Sequence, residues 1–197
     1  MSETASVAIL GAGSWGVALA RVLDANGCKT AIWAHLDEDA EHLNRTRSLE
    51  PRLPGATIPD ATRITSDLEA SLRDADVVLL VVPSAVMESV AHQCANRNLL
   101  SKRLVVSATK GLQIGTLRTM TSVLGEIWAE ENLEGLVALS GPSHAEEVVH
   151  GMPTALVAAS QDQEAAREVQ RLFQRPEFRV YTGHDPLGTQ LGGALKN

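Results

Sequence analysis

Val7-Ala-Ile-Leu-Gly-Ala-Gly-Ser-Trp-Gly16 sets three glycines between an apolar run and a segment with helical spacing. The run that leads in, Ser6-Val-Ala-Ile-Leu10, has the composition of a short strand and stops at Gly11. Residues 15–25 then carry apolar side chains at helical spacing, and Asn26-Gly27 closes them. Gly11, Gly13 and Gly16 satisfy G-x-G-x-x-G, a pattern that is weak alone and informative only between a strand and a helix. Gly11 permits the tight turn, Gly13 lets a pyrophosphate approach the backbone, and Gly16 lets the helix pack closely on the strand. The helix start adds free N–H groups and a positive dipole end. The stretch therefore predicts a dinucleotide site; the plainer alternative is a glycine-rich turn of some other α/β fold.

Outward from this stretch, strand and helix signals alternate. Strands are expected at 29–34, 76–82, 104–108, 136–140, 154–158 and 178–181, and helices at 37–46, 84–95, 117–128, 143–149 and 163–173. Ser66-Asp-Leu-Glu69 reads as a capping box opening a further short helix. Asp76-Val-Val-Leu-Leu-Val-Val82 is unbroken in its apolar run, as in a parallel strand buried on both faces. Residues 50–60, with three prolines and a glycine, read as a loop. The alternation predicts an α/β fold, a Rossmann-type doubly wound and mostly parallel sheet. A last helical pattern opens at Asp185-Pro186, with Leu187, Leu191 and Leu195 on one face, and no C-cap follows Asn197. A dinucleotide-binding domain is thus expected over 1–185, with 186–197 the start of the first helix of a truncated helical substrate domain.

Composition narrows the function. The net charge of −7 argues against nucleic acid, and 3% aromatic residues offer no base-stacking platform. No apolar run is long enough to span a bilayer, so no membrane insertion is expected. The first residues, Met1-Ser-Glu-Thr-Ala-Ser6, lack a basic leader, which predicts a cytoplasmic protein. Cys28 and Cys94 are far apart and suit a reducing compartment. The six histidines include no i,i+4 pair, so no metal site is implied.

The ends of the predicted strands carry the remaining chemistry. NAD sites usually place an acid after the second strand, but here Ala34-His35 stands there, with Asp37 two residues on and no arginine for a 2′-phosphate. NAD and NADP both stay open, and His35 is a candidate contact for either. Val81-Val-Pro-Ser84 ends one strand. Ala108-Thr-Lys-Gly111 ends the next, where Lys110 can reach an anion or a carbonyl oxygen. Ser140-Gly-Pro-Ser-His-Ala-Glu146 ends another; Ser143 and Glu146 form a capping box, so the Ser143 hydroxyl is claimed by the helix start and by a substrate phosphate alike. Gln190-Leu-Gly-Gly-Ala-Leu-Lys-Asn197 sets Lys196 alone among small and apolar residues, where burial would lower its pKa.

Taken in order and spacing, Gly11-Ala-Gly-Ser-Trp-Gly16, Val81-Val-Pro-Ser84, Ala108-Thr-Lys-Gly-Leu112, Ser140-Gly-Pro-Ser143 and Gln190-Leu-Gly-Gly-Ala-Leu-Lys-Asn197 resemble the bacterial NAD(P)-dependent sn-glycerol-3-phosphate dehydrogenases. The resemblance covers the whole chain. It implies an oxidoreductase that moves hydride between NAD(P)H and dihydroxyacetone phosphate, giving sn-glycerol 3-phosphate for phospholipid synthesis. It further implies that Ser14, Trp15, His35, Lys110 and Ala145 touch the cofactor, joining Gly11, Gly13 and Gly16. Lys110, Gly141 and Ser143 would hold the phosphorylated small-molecule substrate, and Lys196 would be the catalytic acid/base. General acid–base help of that kind contributes roughly 10²–10⁴-fold in rate. His144 stands where the family often has phenylalanine. The family's helical second domain is absent, so this chain alone is expected to be inactive; a homodimer is allowed. Two other readings compete: a related hydroxy-acid or sugar-phosphate dehydrogenase, and a non-catalytic dinucleotide-sensing module.

Overall fold

Successive residues of a strand face opposite sides of a sheet, and in this chain both sides are covered. Val7 and Ile9 enter one apolar core while Ala8 and Leu10 enter another; Val77 and Leu79 divide from Val78 and Leu80 in the same way. A computed structural model describes residues 4–129 and 133–195. Within them lie strands β1 (Ser6–Leu10), β2 (Lys29–Trp33), β3 (Arg63–Thr65), β4 (Val77–Leu80), β5 (Leu104–Ser107), β6 (Gly135–Ser140), β7 (Thr154–Ala159) and β8 (Phe178–Gly183). They form one sheet in the order β3-β2-β1-β4-β5-β6-β7-β8, parallel throughout except between β6 and β7. The first six strands have the doubly wound order, which reverses between β1 and β4. The expected mostly parallel Rossmann-type sheet is therefore present, extended by a β7–β8 pair.

The helices are α1 (Ser14–Ala25), α2 (Asp37–Thr46), α3 (Leu68–Leu72), α4 (Met87–Ala95), α5 (Met120–Ile127), α6 (Ala145–Val149), α7 (Gln163–Phe173) and α8 (Pro186–Leu195). Side chains of α1, α2 and α7 build the core on one face, and those of α3, α4 and α5 build the other. α1 buries Gly16, Val17, Ala18, Leu19, Ala20, Val22 and Leu23, and ends as expected at Asn26 and a left-handed Gly27. α8 packs on β6, β7 and α5. Its Gln190 is buried and reaches across to α5. The side-chain oxygen accepts from Thr121 N–H at 3.1 Å, and the amide nitrogen donates to Thr121 Oγ1 at 2.6 Å and to the Pro186 carbonyl at 2.9 Å.

Four local expectations differ. β3 is an edge strand the sequence reading does not contain. The cap of α3 is Asp67, not Ser66: its carboxylate accepts from Glu69 and Ala70 N–H. The helix expected from 117 starts at Met120, because Leu117 has a φ of 58° and belongs to a turn. The helix expected from 84 opens with a 3₁₀ turn over Ser84–Val86.

Residues 50–60, read as a loop, belong to a strap over 47–60 with its own buried anchors, Leu49, Leu53, Ala56 and Ile58. Ile58 N–H bonds the Arg47 carbonyl at 2.8 Å, and Arg21 of α1 donates to the Thr57 carbonyl at 2.7 Å. The strap is thereby held along α1, beside the glycine loop.

Candidate functional site

The carboxyl ends of β1, β2, β4 and β5 are tied together by backbone bonds. Gly11 N–H donates to the Trp33 carbonyl (3.1 Å), Val81 N–H to Leu10 (2.9 Å) and Ala108 N–H to Leu80 (2.9 Å). Above this row, at the reversal of strand order, opens a cavity of about 720 Å³. The glycine loop floors it, His35 and the strap wall one side, Pro83 and α4 the other, and Lys110 stands at the rim.

Each glycine of the loop has its own physical reason. Gly11 has a φ of 128°, and a Cβ there would lie 2.6 Å from the Val81 carbonyl oxygen. A Cβ on Gly16 would lie 2.1 Å from the Gly11 carbonyl oxygen, so glycine sets how closely α1 approaches β1. A Cβ on Gly13 would meet nothing within 4 Å; it would project into open space where the loop lines the cavity. Gly13 is also the N-cap of α1, with no side chain capping it and no acid in the first turn. The helix start is left with unspent N–H donors and a positive end, which suits a pyrophosphate. These residues fit a dinucleotide: Gly13 and the N–H groups of Ser14 and Trp15 would hold its pyrophosphate.

Lys110 is placed by its neighbours. Thr109 is buried, and its hydroxyl donates to the Val82 carbonyl at 2.8 Å, pinning the end of β5 to the end of β4. The Lys110 ammonium lies 5.0 Å from the centroid of the Trp15 ring and donates to the Ser143 carbonyl. It thus joins the cofactor cavity to the β6–α6 turn. The indole Nε1 of Trp15 is buried and finds no hydrogen-bond partner among the described residues. His35 stands edge-on to Trp33, ring centroids 5.5 Å apart, and Trp33 is in turn fixed by a 2.8 Å bond from its Nε1 to the Ser66 carbonyl.

Of the residues singled out in the sequence, Gly11, Gly13, Ser14, Trp15, His35 and Lys110 line the one cavity, with Gly16 directly behind it. Gly141, Ser143 and Ala145 do not line it, but the Lys110–Ser143 bond brings their turn to its edge. Gly141 has a structural reason of its own: a Cβ there would lie 2.8 Å from the Ala155 carbonyl oxygen of β7. Ser143 does not cap α6; the N-cap is His144, and Ser143 Oγ reaches only the Gly141 carbonyl at a long 3.5 Å. The helix start therefore makes no claim on that hydroxyl, which is fully buried in the turn. Ala145 is buried as the first residue of α6. Lys196 lies outside the described residues. α8, which precedes it, crosses the same turn so closely that a Cβ on Gly193 would lie 2.1 Å from Ser140 Oγ.

Two contributors are missing from the sequence reading. Thr109 looks like an ordinary strand-end threonine until β4 lies beside it. Arg52 comes from the strap, far along the chain from β2, yet lines the cavity together with His35 and His42.

A family model described as NAD-dependent glycerol-3-phosphate dehydrogenase N-terminus matches residues 6–166. The chain belongs to this family. Among curated relatives, the glycerol-3-phosphate dehydrogenase [NAD(P)+] of Pediococcus pentosaceus is 44% identical over 193 residues, covering 97% of this chain and 57% of that protein. The same enzyme of Geobacter metallireducens is 44% identical over 192 residues, with coverage of 97% and 57%. The crystal structure of glycerol-3-phosphate dehydrogenase from Coxiella burnetii superposes with a TM-score of 0.87 at 32% identity, covering 96% of this chain and 57% of that one. The chain thus spans about 57% of the length of these relatives. The family match and the glycine loop agree on a nicotinamide dinucleotide as cofactor, with NAD and NADP both open.

Proposed function

We propose that this chain is the dinucleotide-binding part of an enzyme that transfers hydride between NAD(P)H and dihydroxyacetone phosphate, giving sn-glycerol 3-phosphate for phospholipid synthesis in the cytoplasm. The observation that carries the reading is Lys110, held between the Trp15 ring on the cofactor side and the Ser143 carbonyl on the β6–α6 turn. One cation there serves two neighbours: the cofactor in the cavity and a phosphorylated substrate at the turn. Residues 1–185 are assigned to the dinucleotide-binding domain and 186–197 to the start of a helical substrate domain.

The nicotinamide, when bound, supplies or accepts the hydride at its C4. The chain's own residues manage charge and position. Lys110 steadies the negative charge that grows on the ketone oxygen, and the Ser143 hydroxyl and the Gly141 backbone hold the substrate beside it. Lys196, as an ammonium, gives its proton to that oxygen and takes it back in the reverse direction. No helix among the described residues is long and apolar enough to cross a membrane.

The test is titration of the chain with NADH and NADPH, followed by the fluorescence of Trp15 and Trp33, which line the cavity. Saturable binding of at least one is the expected result; binding of neither refutes the reading. In the complete enzyme, Lys196→Ala should abolish turnover while leaving that binding intact. A mutant that still turns over would remove Lys196 from the chemistry.

A further inference from the structure

The adenosine end of the cavity lacks the usual ribose partner. In sites that read NAD, a carboxylate at the end of the second strand takes the ribose hydroxyls; in sites that read NADP, a nearby arginine takes the 2′-phosphate. Here β2 ends at Trp33 and is followed by Ala34, His35 and Leu36, with no carboxylate until α2 begins at Asp37. Arg52 fills the gap from outside the strand. Its backbone is fixed at both groups: its N–H donates to the Leu49 carbonyl at 2.7 Å, and its carbonyl accepts from Ser14 Oγ at 3.4 Å. The buried Leu49 and Leu53 hold the strap on either side. Arg52 is exposed and lines the cavity, and its guanidinium has no ion pair or hydrogen bond among the described residues. Arg47, on the same strap, is by contrast spent on the Thr62 and Asp60 carbonyls.

Two acids line this end as well. Glu50 folds back on the strap, where its Oε1 accepts from Gly55 N–H at 2.8 Å. Asp39 lies in the first turn of α2, with Asp37 and Glu38, and is the competing candidate for the ribose. Against it stand Arg52, His35 and His42, which line the same cavity. A planar, permanently charged guanidinium suits a phosphate dianion better than any other side chain at this end.

We propose that Arg52 determines cofactor choice by binding the 2′-phosphate of NADP(H), so that the domain prefers the phosphorylated dinucleotide. This rests on the dinucleotide reading above. The test uses the 197-residue chain and four probes: NADPH, NADH, 2′,5′-ADP and 5′-AMP. In Arg52→Gln, affinity for NADPH and 2′,5′-ADP should fall roughly 10- to 100-fold, the size of a lost charge-assisted contact. Affinity for NADH and 5′-AMP should hold, which also shows that the variant is folded. Arg52→Lys should keep part of the preference, and Asp39→Asn should tighten NADPH. Equal losses for all four probes, or none, would overturn the proposal while leaving the dinucleotide reading intact. So would loss of NADH affinity in Asp39→Asn, which would make Asp39 the ribose ligand. Failure of the unaltered chain to bind any of the four would overturn both.

Discussion

Gly16→Ala and Gly13→Ala each add one methyl group to the same loop, yet they should fail in opposite ways. At Gly16 the new Cβ would sit 2.1 Å from the Gly11 carbonyl oxygen, where ordinary contact begins near 3.4 Å. The obstacle is backbone on both sides, so α1 must move away from β1 by roughly 1 Å, enough to forfeit a quarter to a half of the dispersion attraction across the gap. That loss runs along a helix with seven buried residues. Overpacking typically costs 1–3 kcal/mol, and with no flexible side chain to yield, Gly16→Ala should cost about 3 kcal/mol. For a chain of this size the melting temperature should fall on the order of 6–12 °C. Gly13 has φ −78° and ψ 176°, which alanine adopts freely, and its Cβ meets nothing. The weaker cap and the stiffer unfolded chain nearly cancel, leaving stability within about 1 kcal/mol. The ligand, however, needs the space. Unaltered chain at a hundredfold excess of nucleotide over Kd gains about 2.7 kcal/mol, and Gly13→Ala should lose that gain. Thermal unfolding followed by circular dichroism, with and without NADH and NADPH, measures both quantities. If Gly13→Ala kept the full nucleotide-induced shift, or Gly16→Ala melted with the parent, the division of labour among the glycines would be refuted.

Thr109→Val removes the bond to the Val82 carbonyl with little change of shape; it should cost roughly 1–2 kcal/mol in urea unfolding and also weaken nucleotide binding, because Lys110 loses its fixed support. Gln190→Leu strips two hydrogen bonds from the α8–α5 junction and one from within α8, and should destabilise by roughly 1–3 kcal/mol, with faster amide exchange at Thr121 as the local sign. The Cys28 thiol is pushed up, first by burial and then by nearby Glu168. A raised folded pKa means stability is fully present below the unfolded thiol value, about pH 8.5, and is lost as pH rises through the folded value. Cys28→Ala should therefore lose less stability than the parent between neutral pH and pH 10, and Cys28 in the folded chain should alkylate more slowly than a free thiol.

The parts of the fold legible in the sequence are those with a period or a strong local stop. The glycine loop, the apolar run of β4, and helices α1, α2 and α7 fall where spacing and caps put them. β3 escapes because three residues, Arg63-Ile-Thr65, are too few to show alternation. Ser66 and Asp67 are adjacent cap formers, and only the backbone path decides for Asp67. The Ser143 box is formally present, but the turn carries Ser143 inward and the helix starts after His144. The strap hides best. Its anchors Leu49, Leu53, Ala56 and Ile58 follow neither helical nor strand spacing, and its prolines advertise a loop. Arg52 was therefore invisible as a cavity residue: sequence position put no arginine near the end of β2, and only the fold of the strap does so.

The doubly wound order explains why these parts meet. The strand order reverses between β1 and β4, so the connections leaving those two strands diverge to opposite faces and a crevice opens at their carboxyl ends. β2 supplies one shoulder of the crevice, and the strap, pinned along α1 by Arg21, extends that shoulder with Arg52. On the other side the sheet runs on through β5 to β6, and the ends of those strands carry Lys110 and the Ser143 turn. A lysine on β6 or on β2 would serve only one neighbour. Just past the end of β5, pinned by Thr109 to β4 and bonded to the turn after β6, Lys110 stands between the crevice and the turn. That intermediate position, more than the lysine itself, is what the proposed function requires of a charge that is to answer to both ligands.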